Sequence, residues 1–288
     1  MIQNLYFDFY GVTTRLRVVP ADVDEALFYF QGQQLSQPPA GEPDVVVTLS
    51  CTEWPERGFF TSLLRKDNLA KRIEIDRRTD GSWARVVDHA FTGWSEIPSP
   101  LPPFRYSDLW MTTAVGPGTC LRMPDGQGLL ITGANYVGKT STSLVLCQRG
   151  ARLVSDSLAV LDLTTGLFRR HDSPLGFRRG SRRHHLDKIT SGVHRETVSP
   201  DTGLVLLVPP AEFLGVPNLP EAKVDRIVHL ERHASPAEPF TTDSDLSSWF
   251  SGADRHEIAQ HLPEVTTVVP VPEEVSPRQI ADLLESAL

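Results

Sequence analysis

Leu129-Leu130-Ile131-Thr132-Gly133-Ala134-Asn135-Tyr136-Val137-Gly138-Lys139-Thr140 is a short apolar run that breaks into glycine and ends in Gly-Lys-Thr. A helix-compatible stretch, Ser141 to Gln148, follows it. The spacing is G-x-x-x-x-G-K-[ST], the pattern of a phosphate-binding loop. The pattern has a physical reason. Glycines let the backbone curl so that successive N–H groups point inward at phosphate oxygens, with the positive end of the next helix behind them. The expected nucleotide-binding set is Gly133, Ala134, Asn135, Tyr136, Val137, Gly138, Lys139, Thr140 and Ser141. In it, Lys139 reaches the β/γ-phosphates and the Thr140 hydroxyl binds Mg²⁺.

Upstream, Thr119 to Met123 reads as a strand, Pro124-Asp125-Gly126-Gln127 as a turn, and Gly128 to Thr132 as the strand that feeds the loop. Two strands joined by a tight turn form a hairpin, which is not how parallel phosphate-loop folds usually enter this motif. Downstream, the helix stops at Gly150, a natural residue just past a helix end. Asp156 follows, seventeen residues after Lys139 and across one helix and one turn, so a returning strand can bring its carboxylate beside the loop.

Apolar content of 40% and charged content of 22% are those of a globular protein, and 288 residues suffice for two modest domains. The formal net charge of −8 argues against a chain that binds nucleic acid along its whole surface. No apolar run approaches the roughly 20 residues needed to span a bilayer, and the first residues lack a signal-peptide pattern. The three cysteines, Cys51, Cys120 and Cys147, have no metal or disulfide spacing and read as small buried residues in a reducing, cytoplasmic setting.

The region 1–96 reads as a small α+β lobe that recognises a substrate or partner. Strands are expected over Asn4–Val12, Arg15–Val19, Val45–Leu49, Arg72–Asp76 and Trp83–Val87, with a short helix over Asp22–Phe30. Trp54, Trp83 and Trp94 read as core residues. Residues 97–104, the densest proline stretch, form a stiff linker and domain boundary. The remainder, 105–288, reads as the phosphate-loop domain, beginning with a helix over Tyr106–Val115. It ends in a helix opened by the capping box Ser276-Pro277-Arg278-Gln279 and packed through Ile280, Leu283, Leu284 and Leu288.

Taken together, the loop, its helix, and Arg149-Gly150-Ala151-Arg152-Leu153-Val154-Ser155-Asp156-Ser157 followed by an apolar strand resemble HPr kinase/phosphorylase and its relatives. That family shares its fold with phosphoenolpyruvate carboxykinase. The likeness is strong from Thr119 to Leu161, weaker through Leu204–Pro210 and Val224–Glu231, and only general over the first hundred residues. It implies an α+β or α/β fold with a mixed sheet. It also implies an ATP- and Mg²⁺-dependent phosphotransferase acting on a hydroxyl of a small molecule or peptide. Chains of this size with an unrelated N-terminal lobe look like the small kinases found beside peptide and natural-product pathways. Relatives can form rings, so a homo-oligomer is compatible with the resemblance, and neither nucleic acid nor a membrane is expected as a partner.

By position Asp156 matches the carboxylate that acts as base in the family, and with Lys139 it is the expected catalytic pair. Thr140 and Asp156 are the expected metal ligands. Two departures stand out. The family's second Asp is Ser157 here, so Asp162 or Glu196 becomes a candidate helper, and the family's histidine upstream of the loop aligns with Gly118. His171, His184, His185 and His194 are candidate replacements. The stretch 169–196 carries eight basic against three acidic residues, and Arg178, Arg179, Arg182, Arg183 and Glu196 are the candidate substrate or phosphate contacts. Motor and switch GTPase classes are disfavoured. Leu204–Val208 ends in Pro209-Pro210 and not in Asp, and no Asn-Lys-x-Asp occurs. A catalytically degenerate nucleotide-binding or scaffold protein is the alternative reading.

Overall fold

A computed structural model describes residues 2–54, 56–60, 70–91, 112–178, 181–182, 185, 194–199, 203–233, 239–243, 246–250 and 252–288. The chain divides into two compact units. One comprises Met1–Arg105 with Gly176–Pro209, and the other Tyr106–Leu175 with Pro210–Leu288. The linker expected at 97–104 lies outside the described residues.

In the first unit, β1 (Gln3–Phe9) and β2 (Val12–Val18) pair antiparallel. They turn through Tyr10 and Gly11, both at positive φ (59° and 90°), which matches the right-handed twist of a two-residue hairpin. A 3₁₀ turn (Pro20–Asp22) and α1 (Val23–Tyr29) then cross over to β3 (Val45–Cys51), parallel to β2. Next come β4 (Lys71–Thr79) and β5 (Ser82–Phe91), which complete a sheet in the order β1-β2-β3-β4-β5. Alternation along the strands buries Phe7, Phe9, Leu16, Val18, Ile73 and Ile75 on one face. There Phe30 meets Phe7 and Phe9 edge-on at 5.5 and 5.4 Å. The opposite face carries a charge ladder in which Arg72 pairs with Asp88 and Arg85 with Glu74 and Asp76. These pairs are solvent-exposed, so water and salt screen them and they add little to stability.

Two tryptophans expected in this core are on the surface. Trp83 is 40% exposed because it opposes Arg78, past Arg77, the last β4 residue paired with β3, and Trp54 is 52% exposed with the Arg57 guanidinium over its ring at 6.0 Å. Trp94 lies outside the described residues.

The second unit opens with β6 (Thr113–Pro117), β7 (Thr119–Arg122) and β8 (Gly128–Gly133), then α2 (Lys139–Gln148), β9 (Arg152–Ser155), β10 (Leu158–Asp162) and β11 (Leu167–Arg169). The helix expected over Tyr106–Val115 is corrected where it is described. Thr113 to Pro117 are extended and pair antiparallel with β10, burying Ala114 and Val115. β-branched Thr113 and Val115 suit that pleated surface, and tertiary pairing overrides the local pattern.

The chain then enters the first unit as β12 (Leu175–Phe177), β13 (Arg195–Ser199) and β14 (Gly203–Val208), a sheet ordered β12-β14-β13. The continuous 105–288 domain expected from the sequence is therefore interrupted. Gly176–Pro209 groups with the first unit because Arg195 of β13 pairs with Glu25 of α1 at 3.0 Å and stacks over Phe28 at 5.1 Å. Back in the second unit follow α3 (Pro210–Leu214), β15 (Glu221–Ala222), β16 (Arg226–His233), β17 (Phe240–Asp243), a 3₁₀ turn (Leu246–Trp249), α4 (Arg255–Ala259), β18 (Val265–Pro272) and α5 (Pro277–Ala287).

This unit holds a mixed six-stranded sheet, β17-β18-β16-β8-β7-β9, and a four-stranded one, β15-β11-β10-β6. Within the larger sheet β8, β16 and β18 run parallel, while β7 and β8 form the expected antiparallel hairpin. Gly128 opens β8 because a Cβ there would sit 1.6 Å from the Lys223 carbonyl oxygen. The capping box at Ser276 is present, and α5 buries Ile280, Ala281 and Leu284. No helix among the described residues is long and apolar enough to cross a membrane.

Candidate functional site

β8 is buried along its whole length and delivers the chain to Gly133. At this point φ is +132°, and a Cβ would lie 2.4 Å from the Leu230 carbonyl oxygen, so both backbone angle and space demand glycine. Ala134, Asn135 and Tyr136 are exposed, whereas Val137 is fully buried and anchors the loop. Tyr136 adopts a left-handed conformation, and its carbonyl accepts from Arg232 at 3.2 Å. The same guanidinium donates to the Pro272 carbonyl at 2.9 Å, which ties the loop apex to β18.

Gly138, at φ +113°, stands at the N-cap of α2 and makes no side-chain cap. The first turn of α2 contains no acidic residue, and its leading N–H groups have no side-chain acceptor at the cap. The negative charge near that end comes from outside the helix, from Asp156, which accepts from Thr140 Oγ1 at 2.9 Å. Lys139 folds back over the loop, donating from Nζ to the carbonyls of Gly133 (2.8 Å) and Ala134 (2.9 Å). Ser141, Thr142 and Ser143 are buried behind it, and Ser143 Oγ donates to the Lys139 carbonyl at 2.6 Å.

Asp156 follows β9 and is only 3% exposed. A register shift between Cys120 and Leu121 where β7 meets β9 leaves Asp156 beside the start of β7. Its Oδ1 accepts from Thr119 Oγ1 at 2.7 Å, and its Oδ2 accepts from Thr140 Oγ1 at 2.9 Å and Ser157 Oγ at 3.0 Å. Three hydroxyls thus satisfy one buried carboxylate. Buried charge is tolerated only when hydrogen-bonded in this way. Ser157 stands at φ +64° with an exposed side chain, and its hydroxyl donates to Asp156 Oδ2, so the position where the sequence resemblance implied a second carboxylate supplies a hydroxyl donor.

The other candidates separate by unit. Lys139, Thr140, Ser141 and Asp156 come together in the second unit, whereas Arg178, Arg182 and Glu196 belong to the first. Arg179, Arg183 and His184 lie outside the described residues. Asp162 sits at the far end of β10, where it accepts from the Thr164 and Thr165 amides and lies 3.4 Å from Arg169. It is engaged in its own turn. Among the described residues, no group of three or more His, Cys, Asp or Glu side chains could hold a metal ion. Of the two residues expected to ligate a metal, Thr140 and Asp156, the first donates its hydroxyl to the second at 2.9 Å.

Gly118 is a tight position, where a Cβ would stand 2.9 Å from Leu130 Cδ1 and 3.2 Å from the Ile131 carbonyl oxygen. Among the candidate replacement histidines, His171 is buried, and burial pushes its imidazole down to about 4, so it is neutral at pH 7. His185 packs on Phe177 at 5.5 Å in the first unit, and His194 is exposed there. Sequence reading missed His229 on β16. Its Nδ1 lies 3.2 Å from Thr132 Oγ1, immediately before the loop. Cys120 and Cys147 are free, and burial raises both thiols, Cys147 to about 12.

Neither a protein-family model nor a curated protein matches the chain. Among solved structures, an HPr(Ser) kinase/phosphatase from Coxiella burnetii aligns with 60% of this chain and 94% of its own. The identity is 17% and the TM-score 0.34, a distant likeness.

Proposed function

We propose that the chain is an ATP-dependent kinase that transfers the γ-phosphate to a hydroxyl of a small molecule or peptide. The observation that carries this reading is Asp156, a buried carboxylate hydrogen-bonded to Thr140 at the start of α2, one residue from Lys139. Phosphoryl transfer asks for phosphates held, charge neutralised and an acceptor hydroxyl set beside a proton acceptor. Backbone N–H groups from Gly133 to Thr140 cradle the phosphates. Lys139 exchanges the two loop carbonyls for phosphate oxygens. Thr140 and Asp156, both oxygen donors, would hold Mg²⁺, which when bound neutralises charge on the phosphates. Asp156 takes the acceptor proton.

A second reading, nucleotide binding without transfer, is favoured by the saturation of Asp156 with three hydroxyl donors and by Ser157 in place of a second carboxylate. Calorimetry with ATP and Mg²⁺ separates the two when run beside a mass-spectrometric screen of hydroxylated amino acids, peptides and natural-product alcohols for a gain of one phosphoryl group. Transfer that Lys139→Ala and Asp156→Asn abolish, with binding retained in Asp156→Asn, is the expected result. Binding without product across a broad acceptor panel would reject the kinase in favour of the second reading.

A further inference from the structure

β16 runs parallel to β8 and sets His229 opposite Thr132, the residue before the loop glycine. Thr132 Oγ1 lies 3.3 Å from the Val228 carbonyl and 3.2 Å from His229 Nδ1. A hydroxyl has one proton, and a carbonyl can only accept. With that proton on Val228, Nδ1 must carry its own hydrogen and donate. The lone pair of the neutral ring then falls on Nε2, which has no hydrogen-bond partner among the described residues. Trp249 packs edge-on against the ring at 4.9 Å and holds it from a second side. The ring is therefore oriented, half-buried and open at one nitrogen.

Its charged surroundings are few. The residues opposite it on the neighbouring strands are Thr132 and Val268, neither of them ionisable. Burial opposes protonation of His229, Glu231 two positions along the same strand favours it, and the Lys139 ammonium opposes it. The influence of Lys139 ties the imidazole electrostatically to the very group that folds over the loop.

We propose that His229 is a phosphate-binding residue of this site. Its Nε2 takes a proton from solvent and donates it to an oxygen of a bound polyphosphate, working alongside Lys139. The proposal rests on reading Gly133–Thr140 as a phosphate loop. A polyanion drawn to Lys139 reverses the local sign felt by the ring, so protonation passes from opposed to favoured and binding takes up a proton. Affinity then falls as pH rises through the pKa of the bound state, by about tenfold for each unit by which the ligand raises the imidazole.

The test uses the full chain and tripolyphosphate. Calorimetry in buffers of differing ionisation enthalpy counts protons taken up by the wild type and by His229→Asn, which keeps an N–H near the place of Nδ1 and removes Nε2. The ligand's own titration is common to both and cancels. The expected result is greater proton uptake and a steeper pH dependence in the wild type. In parallel, the assigned His229 ring signal is titrated by NMR in the wild type, where its midpoint should move up on saturation with tripolyphosphate. Binding with an unmoved His229 midpoint would overturn the proposal and leave the loop reading intact. A folded wild type that fails to bind tripolyphosphate would instead remove the loop reading, and the proposal with it.

Discussion

Thr119→Val isolates the contact on which the geometry of Asp156 depends. Thr119 is fully buried on β7, and its hydroxyl donates to Asp156 Oδ1 at 2.7 Å, while Oδ2 is served separately by Thr140 and Ser157. Valine has nearly the same shape and an equal preference for a strand, so the backbone pairing of Thr119 with Ile131 is retained. The change reduces to the loss of one donor to a buried charged acceptor. A hydrogen bond to a charged group contributes about 1.5–3 kcal/mol, and the orphaned oxygen is left with its desolvation cost. The expected loss of stability is therefore about 2 kcal/mol. Thr119→Ser, which keeps the hydroxyl and removes only a methyl, should cost about 0.8 kcal/mol. Urea unfolding of the three proteins, fitted with a common slope, reads the difference directly. Valine within about 0.5 kcal/mol of wild type, or serine as costly as valine, would refute the assignment of Thr119 as the anchor of Asp156.

Three further perturbations address other parts of the unit. Ser157→Asp places a second carboxylate beside Asp156 at a left-handed position that Asp tolerates well. It should lower stability without Mg²⁺ and steepen the Mg²⁺ dependence of ATP binding, and an unchanged Mg²⁺ dependence in calorimetry would remove Asp156 from the metal. Gly133→Ala meets the Leu230 carbonyl and a φ of +132°, so thermal unfolding should show a loss of about 2–4 kcal/mol. His171 has its folded pKa lowered from 6.5 to about 4 by burial, so the folded state binds fewer protons across that window. Its stabilising share is complete above pH 6.5 and is lost as pH falls towards 4, by about 3 kcal/mol; His171→Asn should flatten that part of the stability–pH curve.

The turn from β8 through the loop into α2 was legible because its residue types are forced locally. Gly133 and Gly138 both sit at positive φ, and Asp125-Gly126 closes the hairpin that precedes them. The Ser276 capping box was legible for the same reason, its partners being three positions apart. What escaped depends on distant pairing. Thr113–Pro117 became a strand because β10 lies beside it, and Trp83 is exposed because its hairpin overhangs the sheet. The contacts that build the site span 37 positions from Thr119 to Asp156 and 97 from Thr132 to His229, and a single-residue register shift decides the first. Spacing along the chain carries no trace of either.

The two places where the sequence departs from the pattern it resembles differ in kind. Gly118 is crowded, since a Cβ there would press on the Leu130 Cδ1 methyl at 2.9 Å and the Ile131 carbonyl oxygen at 3.2 Å. Ser157 is exposed and already has a carboxylate within 3.0 Å, so nothing steric keeps a charge from that position. Asp156 has come to depend on neutral hydroxyls at Thr119, Thr140 and Ser157. Two adjacent carboxylates would repel unless a cation or a proton lay between them, whereas one carboxylate with three donors is satisfied alone. The hydroxyl-lined arrangement is therefore stable with no cation present, and it offers a lone Mg²⁺ only one charged ligand. Tight retention of Mg²⁺ needs further oxygen ligands, and phosphates are the usual source. In the kinase reading, then, the metal enters with the nucleotide, and Mg²⁺ alone should bind far more weakly than Mg²⁺ together with ATP.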